Sequence, residues 1–208
     1  MADLEALKKA VISGKRNDVA TIVKDSIDAG EDINKLLDGA MIPAMREIGD
    51  RFSRNEAYVP ELLIAARAMQ AGLELIEPLL ASSNRKPFGK VAIGTVKGDL
   101  HDIGKNLVAI MLKGAGYEVI DLGVNCDITK FQSGADQGAQ ILACSALLTT
   151  TMPYMKEIVE HFKGKDVKVI IGGAPVTQSY ADQIGAIGYS EDANGAVNLV
   201  DRLLGRVA

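Results

Sequence analysis

GKVAIGTVKGDLHDIGKN, residues 89–106, decides how the second half of this chain is read. Val91, Ala92, Ile93 and Val96 make the short apolar run of a buried parallel strand, and Gly104 and Lys105 lead into the helical pattern NLVAIMLKGAG. A nucleotide-binding chain puts a Gly-rich phosphate loop at such a junction. Here the junction carries Asp99, His101 and Asp102 instead.

Downstream of this stretch, short apolar strands alternate with helical patterns. Strands are expected at 90–96, 117–122, 139–145, 167–171 and 185–188, with helices over 103–115, 128–137, 152–163, 175–183 and 192–205. Five such alternations predict a doubly wound α/β domain over 89–208, a five-stranded parallel sheet of flavodoxin-like (Rossmann-type) order 2-1-3-4-5. Upstream, residues 1–81 read as helix throughout, within a cap domain placed at 1–83. Val19, Ile22, Val23 and Ile27 share one helical face, as do Ile33, Leu36, Leu37, Ala40, Met41, Met45 and Ile48, and then Leu62, Leu63, Ala66, Met69, Leu73, Ile76 and Leu80. Gly14, Gly30 and the stretch Gly49–Asn55 punctuate these faces, Pro60 suits a first helical turn, and Pro43 suits a bend. The expectation is an N-terminal four-helix bundle cap. SSNRKPF, residues 82–88, breaks the helical pattern, with the linker itself placed at 84–88.

Composition narrows the function classes. With 208 residues, 48% hydrophobic and 24% charged, the chain is long enough for two small domains of ordinary globular make-up. Aromatics are 4% with no Trp, so the cores must rest on Ala, Val, Leu, Ile and Met; Met41, Met45 and Met69 read as core fillers on spacing alone. A net charge of -4 with no Lys/Arg block gives no electrostatic case for nucleic acid. The longest uncharged run, Gln137–Met155, is too polar to span a membrane. MADLEALKKAV is charged and helical, unlike a signal peptide, and Cys126 and Cys144 form no CxxC pair, as in a reducing compartment. A soluble cytoplasmic protein is expected.

In a sheet of that order, the loops after strands 1, 3, 4 and 5 share the carboxyl edge, and a crevice opens between strands 1 and 3. The unusual residues collect there: Asp99, His101 and Gly104; then SALLTTTMP, residues 145–153; then IGGAPV with Gly172 and Gly173; then GYSEDA. Small and hydroxyl-bearing residues leave room for a long polar ligand against the backbone, with an imidazole at its mouth. Singly, each has a plainer reading: His101 as a surface residue, Asp99 as a helix cap, the threonines as helix-start chemistry and the glycines as a turn. VKGDLHDIG lacks GxGxxG, Ser145 stands where a phosphorelay receiver needs Asp, stacking aromatics for a flavin are scarce, and Asp99, His101 and Asp102 are too few for structural zinc. A metal-centred cofactor that brings most of its own coordination and borrows one imidazole remains.

DLHDIG (Asp99, His101, Gly104), SAL (Ser145, Leu147) and GG (Gly172, Gly173) together resemble the D-x-H-x-x-G … S-x-L … GG signature of cobalamin-binding domains. These occur in methionine synthase and in the corrinoid proteins of anaerobic methyltransferase systems. Forty residues lie between Gly104 and Ser145, close to the family spacing, and 24 between Leu147 and Gly172, slightly fewer than in methionine synthase. IGDRFSRNEAYVPELLIAARAM, residues 48–69, is similar to the helical cap preceding that domain, so the resemblance covers nearly the whole chain.

The resemblance implies cobalamin bound base-off, with His101 as lower axial ligand to cobalt in place of the cofactor's own base. Asp99 would fix the ring's tautomer and raise its basicity. Thr151 stands where methionine synthase has a Ser that completes a hydrogen-bonded relay with the Asp and His, and keeps the hydroxyl. The displaced nucleotide tail would run past Gly104, Ser145, Leu147, Thr149, Gly172 and Gly173. Gly98, Asp102, Ile103, Ala174 and Tyr189 complete the expected contacts in this half. In the cap, Tyr58 and Met69 are expected at the cofactor, Tyr58 over its upper face. Since 208 residues leave no room for the further modules of methionine synthase, the resemblance implies a methyl-carrying corrinoid subunit of a multi-component methyltransferase. Its partners would be a substrate-specific methyltransferase (for a methylamine, methanol, an aryl methyl ether or a betaine) and a second one acting on a folate, pterin or thiol acceptor, with a reductive activase as a further partner. The cap would move at the linker to admit them. A cobalamin-binding sensor is the alternative, and would normally bring a DNA-binding or signalling domain.

Overall fold

The computed structural model describes residues 3–80 and 86–206 and divides into two compact units, the second beginning at Pro87 (residues 114–116 excepted). In the first, α1 (Leu4–Ile12) is capped by Asp3, whose carboxylate accepts the Ala6 N–H at 2.9 Å. α2 (Arg16–Asp28) follows after Gly14, which turns the chain at φ 67°. The third segment is continuous but irregular: α3 (Ile33–Leu36), a π-turn (Leu37–Met41) and α4 (Ile42–Ser53). The Ile42 N–H reaches back five residues to the Leu37 carbonyl, directly ahead of Pro43. Proline lacks an N–H and crowds the preceding turn, and a widened turn relieves both demands. The break expected over Gly49–Asn55 falls later, because Gly49 is buried within α4 and the turn comes only at Arg54–Tyr58, with Asn55 at φ 59°. One glycine costs a helix about 1 kcal/mol, a penalty that packing outweighs. α5 (Val59–Leu80) takes Pro60 in its first turn, and Glu61 reaches back to the Tyr58 N–H at 2.8 Å. α5 lies along α2, and α1 packs on α2, α4 and α5.

The second unit alternates β1 (Lys90–Val96), α6 (Ile103–Gly114), β2 (Glu118–Cys126), α7 (Ile128–Asp136), β3 (Ile141–Ser145), α8 (Pro153–Phe162), β4 (Lys168–Gly172), α9 (Gln178–Ile184), β5 (Gly188–Ser190) and α10 (Ala193–Leu203). The five strands are parallel in the order β2-β1-β3-β4-β5, so the direction of winding reverses between β1 and β3. β1 is buried from Val91 to Val96, and one face of the sheet packs Leu142, Cys144, Val169 and Ile171 with Phe131, Ile158 and Phe162 of the helices. Three elements depart from expectation by three residues or more, and α9 does so by beginning at Gln178, not 175, behind its Thr177 cap. β5 begins at Gly188, not 185, because Gly185 (φ 73°) closes α9 as its left-handed cap. β2 continues to Cys126 rather than ending at 122, its pairing with β1 slipping at Ile93–Gly94 and again at Gly94–Val96.

Of the expected linker stretch, residues 82–85 lie outside the described residues, and 86–88 form neither helix nor strand. Among the described residues no helix is long and apolar enough to cross a membrane.

Candidate cofactor site

Asp99 ends the turn after β1 and is completely buried. A bare carboxylate there would be costly, and every acceptor direction is filled. Its Oδ1 accepts the His101 N–H at 3.0 Å and faces His101 Nδ1 at 2.7 Å. Its Oδ2 accepts the N–H groups of Leu147 (2.8 Å) and Leu148 (3.2 Å) and the Thr151 hydroxyl (3.0 Å). Burial alone would raise this carboxyl's pKa, but the hydrogen bonds outweigh it and hold the group well below the usual carboxylate range. Asp99 is therefore ionised and accepts only, so Nδ1 of His101 carries the ring proton. Nε2 is left with its lone pair, on a side chain that is half exposed.

Thr95, itself fully buried near the end of β1, donates its hydroxyl to the His101 carbonyl at 2.8 Å. N–H, C=O and Nδ1 of His101 are thus each engaged within the fold. The Thr151 hydroxyl has one hydrogen and two acceptors in reach, Asp99 Oδ2 and the Leu148 carbonyl at 2.8 Å.

The switch point brings the carboxyl ends of the strands into one row, Thr95, Ser145, Gly172 and Ser190 pairing in register across β1, β3, β4 and β5. The Ala146 N–H donates to the Gly172 carbonyl, and a Cβ on Gly173 (φ 129°) would lie 1.9 Å from the Ala146 carbonyl oxygen. At Gly104 an added Cβ would meet no heavy atom within 4 Å. A single exposed imidazole nitrogen beside open space suits a cofactor that supplies its own remaining metal ligands.

Residues expected at the site fall into three sets. Asp99, His101, Leu147 and Thr151 form one hydrogen-bonded cluster, and Gly98, Ser145, Gly172 and Gly173 lie on the strand ends and loops around it. Asp102 is exposed and accepts from Asn106 Nδ2 at 3.0 Å, while Ile103, Gly104, Thr149 and Ala174 are also exposed. Tyr189 stands apart: it is half-buried on the edge strand, separated from β1 by β3 and β4, and lines a shallow groove with Gly195, Asn198 and Arg202. In the helical unit Tyr58 is 68% exposed just before α5, whereas Met69 is 2% exposed. A buried thioether on an apolar stripe packs the helical unit, the reading that its spacing also gave.

Sequence reading missed Thr95, Lys105, Asn125 and the Leu148 N–H. Lys105 is 2% exposed, its ammonium 2.6 Å from both Asp121 Oδ1 and Asn106 Oδ1. Asn125, at φ 51°, accepts the Gly98 N–H at 2.8 Å and donates its own to the Asp99 carbonyl at 3.0 Å. Gly123 and Asn125, two residue types that tolerate left-handed backbone, placed just after the strand expected at 117–122, were the available signal.

Comparison with known proteins agrees with this geometry. Residues 89–198 and 3–77 each match a family described as a B12 binding domain. A corrinoid protein of Desulfitobacterium hafniense is 38% identical across 99% of both chains, and the trimethylamine corrinoid protein of Methanosarcina barkeri is 41% identical over 88% of both. Among solved structures, the methanol:cobalamin methyltransferase complex of Methanosarcina barkeri matches with a TM-score of 0.86 at 29% identity, over 99% of this chain and 80% of that one. A cobalamin-binding protein of Desulfitobacterium hafniense matches with a TM-score of 0.80 at 28% identity, over 97% and 98%. A buried carboxylate that orients one outward imidazole at the switch point of a parallel sheet is thus joined to family matches over both parts of the chain: it belongs to the B12-binding corrinoid proteins, and its cofactor is cobalamin.

Proposed function

We propose that this protein is a methyl carrier, taking a methyl group from a substrate-specific methyltransferase and giving it up to a second methyltransferase with a folate, pterin or thiol acceptor. The observation that carries this reading is the Asp99–His101 pair at 2.7 Å, which leaves Nε2 as the one outward donor atom. The relatives add to it: they are named as corrinoid proteins for trimethylamine and dimethylamine, and a structural neighbour is a methanol:cobalamin methyltransferase complex. Cobalamin, when bound, supplies a cobalt centre to which a methyl group can be attached and from which it can be removed.

The chain's own residues hold that cofactor and manage one proton. His101 would hold the cobalt from below through Nε2, and Gly104, Ser145, Leu147, Thr149, Gly172 and Gly173 would border the nucleotide tail. Asp99 keeps the Nδ1–H tautomer in place and keeps the ring aimed outward. If the imidazole is released and takes a proton at Nε2, the ionised Asp99 stabilises the resulting cation. Thr151 extends the network: its hydroxyl donates to Asp99 Oδ2, with the Leu148 carbonyl as its alternative acceptor, and so would tune how strongly the carboxylate holds the imidazolium.

The test is reconstitution with hydroxocobalamin followed by reduction under anaerobic conditions. Stoichiometric binding with a base-off, His-on absorption spectrum is expected, then methylation by a cognate methyltransferase and methanol, a methylamine or an aryl methyl ether. A holoprotein that binds cobalamin but accepts methyl from no such enzyme would overturn the carrier reading.

A further inference from the structure

The loop that carries His101 is secured on its inner side by Asp99, but two further contacts hold it from β2, and no part of the proposed relay uses them. Ahead of Asp99, Asn125 bridges the turn, accepting the Gly98 N–H at 2.8 Å and donating to the Asp99 carbonyl at 3.0 Å. Behind His101, Asp121 accepts the buried Lys105 ammonium at 2.6 Å and the Gly123 N–H at 2.9 Å. Lys105 also meets Asn106 Oδ1 at 2.6 Å, and Asn106 in turn holds Asp102 at 3.0 Å. Asp121 lies at the last regular pair of β2 with β1; beyond it β2 slips at two places, and Gly123 (φ 79°) and Asn125 (φ 51°) adopt left-handed backbone. A left-handed non-glycine residue such as Asn125 is found where the surrounding contacts require it.

We infer that the irregular end of β2 is a positioning element for the cofactor: Asn125 and the Asp121–Lys105 pair set the loop, and through it the height and tilt at which His101 Nε2 meets the metal. Asp99 fixes the ring relative to the loop, whereas β2 fixes the loop relative to the sheet. The second control matters because a ligand displaced by even a fraction of an ångström loses orbital overlap with a metal held independently by its macrocycle. This inference rests on the proposal that His101 is the lower ligand.

The decisive variant is Asn125→Gly. Glycine adopts a φ of 51° without strain, so the substitution removes the side-chain acceptor and adds no backbone penalty. Asn125→Asp restores an acceptor oxygen and tolerates the same conformation. Lys105→Met with Asp121→Asn removes the second anchor while keeping shape. In each purified protein, the His-on absorption spectrum, the Kd for hydroxocobalamin and the melting temperature of the apoprotein are measured. In parallel, the ¹⁵N shifts of the His101 ring are recorded in the apoprotein.

Asn125→Gly is expected to raise Kd about 10-fold and to convert part of the His-on spectrum to a His-off one. The apoprotein should melt within about 3 °C of wild type, and Asn125→Asp should recover the spectrum. His101 ring shifts unchanged in Asn125→Gly would show that the tautomer survives and that position alone is lost. Wild-type spectrum and affinity in both Asn125→Gly and the double variant would overturn the inference, as would spectral loss that simply tracks melting temperature. Wild type that binds without a His-on signature would instead overturn the ligand assignment.

Discussion

The Thr151 hydroxyl stands 3.0 Å from Asp99 Oδ2 and shares that oxygen with the N–H groups of Leu147 and Leu148. Replacing Thr151 by Val keeps the shape and leaves two donors on that oxygen, so the expected loss of stability is only about 1 kcal/mol by urea titration. The chemical effect should exceed the structural one. The pH at which His-on absorption gives way should shift in Thr151→Val and return in Thr151→Ser. No shift in the Val variant would remove Thr151 from the relay.

His101→Ala tests the proposed ligand. Its ring is half exposed, and Asp99 Oδ1 still accepts the residue-101 N–H, so the apoprotein should lose no more than about 2 kcal/mol. Cobalamin retained after gel filtration should fall sharply, and any that remains should lack the His-on bands.

Asp99 has no such latitude. Asp99→Ala leaves the buried donors of Leu147 and Leu148 without an acceptor, and Asp99→Asn turns an amide N–H₂ toward groups that themselves donate. About 3 kcal/mol of destabilisation is expected in either case, read from the urea midpoint. The carboxyl's lowered pKa also gives the direction of pH dependence. Its stabilisation is fully present above the unfolded value of about 3.9 and is lost as pH falls toward the folded value. Wild type should therefore lose more stability than Asp99→Asn between about pH 4 and pH 2.

Two glycines should behave oppositely. Gly104→Ala meets no atom within 4 Å and lies in a helix, so the apoprotein should be unchanged or stabilised by up to about 1 kcal/mol. If the tail runs past this position, the same variant should bind cobalamin more weakly. Gly173→Ala places a Cβ 1.9 Å from a carbonyl oxygen at a φ of 129°, and should cost the apoprotein about 3 kcal/mol before any cofactor is added. Paired melting and binding curves separate the two effects.

Tyr117 supplies an alkaline signature away from the site. Burial, followed by its hydrogen bond to Asp201, pushes its phenol up to about 12. A raised folded value stabilises fully below the unfolded pKa of about 10 and loses that contribution between about pH 10 and 12. Wild type should lose on the order of 2 kcal/mol more than Tyr117→Phe across that window.

The parallel sheet was legible because β1, β3 and β4 are uninterrupted apolar runs separated by helical periods, and this pattern admits few topologies. Asp99 and His101 were legible because they stand where glycines are the norm. The β2 anchors were not. Asn125 and Asp121 are ordinary residues until the pairing of β2 with β1 and a left-handed turn bring them to the loop, and neither that register nor φ is encoded in spacing. Met69 shows a related limit: a thioether on an apolar stripe has the same spacing whether it packs or reaches out. The end of the fourth strand–helix unit shows the same limit, since Gly185 reads equally as a strand start or a helix cap, and its φ of 73° decides for the cap.

The commitment of three of the four polar groups of His101 to Asp99 and Thr95 also governs mismetallation. Among the described residues no three His, Cys, Asp or Glu side chains converge, so a free divalent ion finds one nitrogen and no chelate. Zinc or nickel ions offered to the apoprotein should dialyse away, leaving His101 open. Selectivity at this site would then lie in needing a metal that arrives already complexed.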